Sequence, residues 1–254
     1  MDKISTVIIT LNEEKKIENC LKSVVDISDE IVVVDSFSTD RTEQICLRYN
    51  VRFIQHKFEG YRDQKNYAMN QAENDYVLFL DADEVLSEEL REFIKEEKRG
   101  GFVFDAYRFN RMSCIGNRFV RYGEWYPDAK IRLWNRKKGK WGGENVHESV
   151  VLKSDASLKK VRLNILHYPY SDIFEYNAQF VKFAKIWTEE KFKKAKKSNI
   201  FSAFLHSFVK FWRGYVFKLG FLDGYLGYVI AKTQAHYTFL KYAGLLDMYR
   251  QSDK

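Results

Sequence analysis

With 254 residues, 45 % of them hydrophobic and 16 % aromatic, the chain can build one large domain, or one domain with a smaller appendage, and it is not a disordered protein. Its 42 Lys and Arg against 35 Asp and Glu leave a net charge of +7, which favours an anionic partner without naming one. Cys20, Cys46 and Cys114 are widely spaced with no CxxC pair, against a disulfide framework or a zinc ribbon, and no run reaches the ~18 uncharged apolar residues of a membrane span.

The N-terminal MDKISTVIIT has a short β-branched run rather than a long apolar signal segment, so the chain is expected to stay in the cytosol. Ile4–Thr10 reads as a strand. Ile17, Cys20, Leu21, Val24 and Val25 then share one face of a helix, with Asn12 expected as its N-cap and Glu13 and Glu14 in its first turn. Ile31–Val34 is a second strand, ending at Asp35. The polar turn Ser36–Asp40 after it can cap a helix that buries Ile45, Cys46 and Tyr49. Val51–Ile54 and Tyr76–Leu80 are the third and fourth strands, the last running into Asp81-Ala82-Asp83. Ser87 caps the acidic helix that comes next.

Strands apolar throughout and separated by single helices imply parallel strands covered on both faces. Ligands of such sheets sit beyond the carboxyl ends of the strands. Thr10, Asn12 and Glu13, then Asp35, Ser38 and Asp40, then Asp81 and Asp83 each come directly after a strand end. Phe102–Phe109, Lys130–Trp134, Val146–Leu152 and Val161–His167 form a second group of strands, joined by connections rich in Gly and aromatics, and suit a mixed-sheet extension. Residues 172 to about 250 read as helices rich in Phe, Tyr, Trp and Lys. The expected division is a catalytic part, 1–170, and a helical part, 171–254.

Asp81-Ala82-Asp83 is the most informative motif. Two carboxylates one residue apart at a buried strand end can turn toward one point, and hard oxygen ligands there suit Mg²⁺ or Mn²⁺ and hence a diphosphate. A plain acidic helix start accounts for the same residues.

In combination, VIITLNEE (7–14), IVVVDSFSTDRT (31–42), QKNYA (64–68), LFLDADE (78–84), WYPDAKIRLWNR (125–136), VHE (146–148) and ILHYPY (165–170) carry a specific resemblance. The chain is similar to the family 2 glycosyltransferases of the GT-A fold, and within them to the lipopolysaccharide-core β-glucosyltransferase branch. The C-terminal eighty or so residues match only in character. The resemblance implies an α/β fold, a mostly parallel Rossmann-like sheet with a mixed extension, succeeded by a C-terminal helical region.

The same resemblance implies the site. Asp35 would hold the uracil or ribose, with Thr10, Asn12, Glu13 and Ser38 lining the nucleotide pocket, although DSFSTD also makes a respectable Asx turn. Arg62 and Lys65 fall where relatives place cations near the diphosphate. Asp81 and Asp83 would bind the ribose and the metal, Asp83 more directly, with His167 as a third ligand. Inverting transfer needs a carboxylate that takes the proton of the acceptor hydroxyl. Glu148 of VHE is the expected base, with His147 where relatives carry a first acid; Asp128 of WYPD is the competitor and Glu144 a third choice. Arg132 would steer phosphate or hold the acid in place. Trp125, Tyr126, Trp134 and Trp141 are either a sugar platform or core.

Between Phe180 and Lys197 seven lysines stand against two glutamates. Beyond them Phe201, Phe204, Leu205, Phe208, Phe211, Tyr215 and Leu219 are set near helical spacing, interrupted by Lys210, Arg213 and Lys218. Such a helix can lie in the headgroups of an anionic membrane or pack as an ordinary helix; no nucleic-acid signature accompanies it. The expectation is an inverting, metal-dependent transferase moving a hexose, glucose first, from a UDP-sugar to a lipid-linked or lipopolysaccharide-core acceptor at the cytoplasmic face of the inner membrane. The rivals are a sugar-1-phosphate nucleotidyltransferase, against which TLNEEKK has no glycine, and a membrane-bound sugar-nucleotide-binding protein without transfer activity.

Overall fold

The computed structural model describes residues 2–143 and 148–252, which fall into two compact units: Met1–Arg111 with Asp128–His167, and Met112–Pro127 with Tyr168–Lys254. Residues 112–127, which the sequence groups with the catalytic part, cluster with the helical C-terminus.

In the first unit β1 (Ile4–Thr10), α1 (Ile17–Val24), β2 (Glu30–Asp35), α2 (Thr42–Cys46), β3 (Arg52–Gln55), α3 (Tyr61–Asn70) and β4 (Tyr76–Asp81) alternate as the hydrophobic pattern dictates. The sheet order is β3-β2-β1-β4 with all four strands parallel. β1 is buried along nearly its whole length because β-branched residues fill both of its faces. The register brings the polar strand ends together: Thr10 pairs with Asp35, and Ile9 with Asp81, so three of them lie side by side.

Two helical expectations change. α1 begins at Ile17, and Asn12 is not its cap. Asn12 takes a left-handed φ of 55° and uses its side chain on the neighbouring loop, accepting from the Thr39 N–H at 2.8 Å. α2 is only five residues long and tightens into a 3₁₀ turn at Leu47–Tyr49; its N-cap position is Arg41, whose side chain makes no cap bond, and Asp40 just before it accepts from the Thr42 N–H at 2.9 Å.

After β4 comes β5 (Glu84–Leu86), a strand the sequence pattern does not reveal. α4 (Glu88–Gly100) is next, with Ser87 accepting from the Leu90 N–H as anticipated, a cap that contributes about 1 kcal/mol. β6 (Ala106–Ile115), β7 (Arg118–Phe119), β8 (Asp128–Asn135), β9 (Gly139–Gly142), β10 (Ser149–Leu152) and β11 (Leu158–Tyr170) complete the strands. The sheet continues from β4 through β8, β6 and β11 to β5, antiparallel wherever the register is resolved. The hairpin β9–β10 occupies a stretch expected in part as a connection. Gly139 and Gly142 leave room for side chains of the facing strand, since a Cβ there would come within 2.8 Å of Leu152 and 2.7 Å of Val151.

Two apolar clusters sandwich the parallel strands. One is built on Ile4, Ile8, Leu21, Val24, Leu78 and Leu80, the other on Val7, Val32, Val34, Phe79, Trp134 and Trp141. Trp134 and Trp141 are thus core residues.

The second unit holds α5 (Ile173–Lys193), α6 (Ile200–Trp212) and α7 (Gly224–Ser252). Its centre is Ile115, Val120, Tyr176, Leu226 and Ile230, with Trp125, Tyr170 and Phe180 packed on them. Asp172 and Asn199 cap α5 and α6. No helix among the described residues is long and apolar enough to cross a membrane.

Candidate functional site

A cavity of about 410 Å³ opens beyond the carboxyl ends of the parallel strands. Thr10, Glu13, Lys65, Asp81, Asp83, Glu148 and His167, all expected from the sequence, line it, together with Ser36, Phe58, Tyr61 and Gln64, which were not. Phe58 and Tyr61 stack edge to face and supply an aromatic wall. The Thr10 hydroxyl is buried and has no hydrogen-bond partner among the described residues, so it has capacity for a ligand.

Asp81 is the hub. Lys65 Nζ stands 3.1 Å from its Oδ1, and Arg132 Nη2 2.8 Å from its Oδ2. Burial raises its pKa, but Lys65 and Arg132 outweigh that and hold the carboxyl well below the usual carboxylate range. Lys65, delivered by α3, also reaches Glu148 Oε1 at 2.9 Å, and its ammonium lies 4.6 Å from the centre of the Trp141 ring. Lys65 therefore links the strand-end carboxylate to the expected base.

Glu84 was not among the expected site residues. It is fully buried, takes Arg132 at 2.6 Å and Arg111 at 3.3 Å, and accepts from the Asp81 N–H at 3.1 Å. Its only signal in the sequence is its place directly after the paired aspartates. Arg132, anticipated as a holder of the acid, does hold Asp81.

The antiparallel pairing of β5 with β11 sets His167 opposite Glu84, beside Asp83. His167 Nε2 and Asp83 Oδ2 stand 3.3 Å apart. Burial raises the Asp83 pKa, but the contact with His167 wins and leaves it lowered. Carboxylate oxygen and imidazole nitrogen are both donor types found in divalent-cation sites, and here the two are in direct contact with each other. No group of three or more His, Cys, Asp or Glu forms such a site among the described residues.

Of the expected residues not yet placed, Asn12, Asp35, Ser38, Arg62 and Asp128 stand outside the cavity lining. Asp35 is fully buried and accepts from the Ser38 N–H at 2.7 Å and the Ser38 hydroxyl at 2.5 Å; Ser38 in turn accepts from the Asn12 N–H at 2.8 Å. This is loop-fixing geometry one step behind Thr10. Glu13 is on the wall, with burial raising its pKa against the opposing pull of Lys16. Arg62 turns to Asp63 at 2.9 Å and does not line the cavity. Asp128 has Arg111 at 2.8 Å on Oδ2 and Lys130 at 3.1 Å on Oδ1. Burial raises its pKa, and the two cations bring it below the ordinary value. Glu144 and the first two residues of Val146-His147-Glu148 lie outside the described residues.

The profile of the family described as Glycosyl transferase family 2 matches residues 5–156. An uncharacterised glycosyltransferase of Rickettsia typhi is 31 % identical over 99 % of the chain and 89 % of its own length. A lipopolysaccharide core biosynthesis glycosyltransferase of Rhizobium meliloti is 27 % identical over 93 % and 89 %. Among solved structures, residues 1–349 of S. aureus TarS cover 98 % of the chain and 92 % of that structure at 16 % identity and a TM-score of 0.44. Glucosyl-3-phosphoglycerate synthase of Mycobacterium tuberculosis, crystallised with Mn²⁺, UDP and phosphoglyceric acid, covers 43 % of each chain at 25 % identity and a TM-score of 0.36.

Proposed function

Because the chain belongs to glycosyl transferase family 2 and is a transferase, we propose that it moves a hexose, glucose in first place, from a UDP-sugar to a lipid-linked or lipopolysaccharide-core acceptor, with inversion at the anomeric carbon. One observation carries this reading: Thr10, Lys65, Asp81, Asp83, Glu148 and His167, drawn from separate stretches of sequence, line one cavity. The name of the Rhizobium meliloti relative supports the acceptor class.

In this reading Thr10 and Glu13 face the nucleotide, Asp35 with Ser38 and Asn12 shapes the loop that receives it, and Lys65 lies near the diphosphate. Arg62 would serve there only by leaving Asp63. Asp83 and His167, with Asp81 beside them, would hold Mg²⁺ or Mn²⁺, which when bound neutralises charge on the departing diphosphate. Glu148 takes the proton as the acceptor oxygen bonds to the anomeric carbon and the bond from that carbon to the phosphate oxygen breaks. Its contact with Lys65 orients it over the cavity. Asp128 is a poorer base, because both of its oxygens are engaged by cations and it is absent from the cavity wall.

The catalytic role is assigned to residues drawn from 1–170 and a membrane role to 171–254. On α6 Phe201, Phe204 and Phe208 are 71 %, 61 % and 62 % exposed, with Lys210, Arg213 and Lys218 close by in sequence. Such a surface suits peripheral contact with anionic lipid at the cytoplasmic face of the inner membrane.

With UDP-glucose and Mn²⁺ the protein is expected to release UDP slowly even without acceptor. Glu148→Gln should lose transfer while still binding UDP, and Asp128→Asn should keep transfer. Full transfer by Glu148→Gln together with a dead Asp128→Asn would reverse the assignment of the base.

A further inference from the structure

Ser36 and Gln64 line the cavity beside Thr10, and neither is expected there from the sequence. Ser36 directly follows β2 and Gln64 is on α3. A short hydrogen-bonded chain joins both to His56, the residue after β3. Gln64 Nε2 stands 3.1 Å from Ser36 Oγ and 3.4 Å from the His56 carbonyl oxygen, and Gln64 Oε1 stands 2.8 Å from His56 Nδ1.

One group without a choice of role fixes the direction of every bond in this chain. A carbonyl oxygen only accepts, so the Gln64 nitrogen faces it and the Gln64 oxygen faces the imidazole. Nδ1 therefore carries a hydrogen, and Ser36 Oγ accepts from Gln64. His56 is itself held: its backbone N–H donates to the Asp35 carbonyl at 2.8 Å, and its ring stacks on Tyr67 with centres 3.6 Å apart. Gln64 is 1 % exposed, so its amide has little room to turn. The Ser36 hydroxyl hydrogen must then point away from Gln64, and no acceptor among the described residues takes it. Asp35, the expected reader of the base, is fully buried outside the lining, with both oxygens given to Ser38.

The sheet order β3-β2-β1-β4 sets the end of β2 two strands, about 10 Å, from the end of β4. With the diphosphate at Asp81 and Asp83, a base held a ribose further along comes to the Ser36 end, where Phe58 and Tyr61 also line the cavity. We propose that Ser36 is the specificity-determining residue for the base. Its hydroxyl donates to the carbonyl oxygen that uracil presents where cytosine has an amino group, and His56 and Gln64 are positioning residues that keep that hydrogen turned to the cavity. The inference rests on the reading of this cavity as the UDP site. An amino group in that place would meet the hydroxyl hydrogen and leave a donor unmatched, a loss larger than the bond itself gains.

The test titrates the full chain with UDP and with CDP, each in the presence of Mg²⁺, in a calorimeter. UDP should bind about tenfold tighter or more, the worth of a hydrogen bond whose loss leaves a polar group unmatched. Ser36→Ala should weaken UDP and bring the two nucleotides to the same affinity. Gln64→Glu keeps an acceptor for His56 but has no hydrogen for Ser36, so the hydroxyl turns to the carboxylate and offers its lone pairs to the base. The added charge repels both diphosphates alike, so the ratio is the readout, and it should fall to equality or reverse in favour of CDP. A purely structural role would weaken both nucleotides together and leave the ratio as it was. Equal affinity of UDP and CDP for the unaltered protein, or an unchanged ratio in either variant, would overturn the proposal and leave the nucleotide reading standing. Binding of neither nucleotide would remove both.

Discussion

Glu84 offers the sharpest test of how the site is held together. It is fully buried, and its carboxylate supports Arg132 at 2.6 Å, Arg111 at 3.3 Å and the Asp81 N–H at 3.1 Å. Glu84→Gln keeps the shape and the acceptor for Asp81 but removes the charge. Arg132, 4 % exposed in its side chain, would then be left with Asp81 alone. Breaking a buried ion pair by removing one partner costs about 3–5 kcal/mol, and because Asp81 remains the lower end, about 3 kcal/mol, is expected. In a protein of this size that is a fall of roughly 6–12 °C in Tm. The control is Lys137→Gln. Lys137 pairs with Asp75 at 2.8 Å, a comparable distance, but is 68 % exposed, and no measurable change is expected from its loss. Urea unfolding followed by tryptophan fluorescence, with Trp141 5.8 Å from the Arg132 guanidinium, reads both variants. A Glu84→Gln midpoint as high as that of Lys137→Gln would refute the view that this carboxylate anchors the site.

The same geometry sets two other outcomes. Asp81 and Asp128 both have folded pKa values below the ordinary 3.8, so their contribution to stability is fully present above that value and is lost as the pH falls through it and beyond. Urea midpoints should hold steady down to about pH 5 and decline below about pH 4, with a shallower decline in Asp81→Asn; an equal acid slope in that variant would show that Asp81 is not held by its cations. In flotation assays the protein should rise with phosphatidylglycerol vesicles at low salt and stay down with phosphatidylcholine, and Phe204→Asp with Phe208→Asp should abolish flotation. Absence of any lipid association by the unaltered protein removes the membrane reading.

The parallel half of the fold was legible in the sequence because runs such as the β-branched Ile4–Thr10 and the apolar Tyr76–Leu80 are strand-like along their length and end abruptly in polar residues. The antiparallel half was less so. β5 is three residues inside an acidic stretch, and nothing local reveals that Glu84 turns inward to two arginines from β6 and β8. Lys65 was expected near a diphosphate and is found bridging Asp81 and Glu148, a link that only the packing of α3 beside β9 creates. Asn12 reads as a helix cap because its residue type favours one, but the loop of Ser38 and Thr39 takes its hydrogen bonds first. His167 could be placed by resemblance, while its position beside Asp83 comes from the β5–β11 register, which no spacing in the sequence encodes.

The most direct test of the central claim is calorimetric titration of the intact protein with UDP in the presence and absence of Mn²⁺. The account predicts clearly tighter binding with the metal, and loss of that gain in Asp83→Asn. Binding of UDP to a folded protein with the same affinity whether or not Mn²⁺ or Mg²⁺ is present, or a gain that survives in Asp83→Asn, would contradict it.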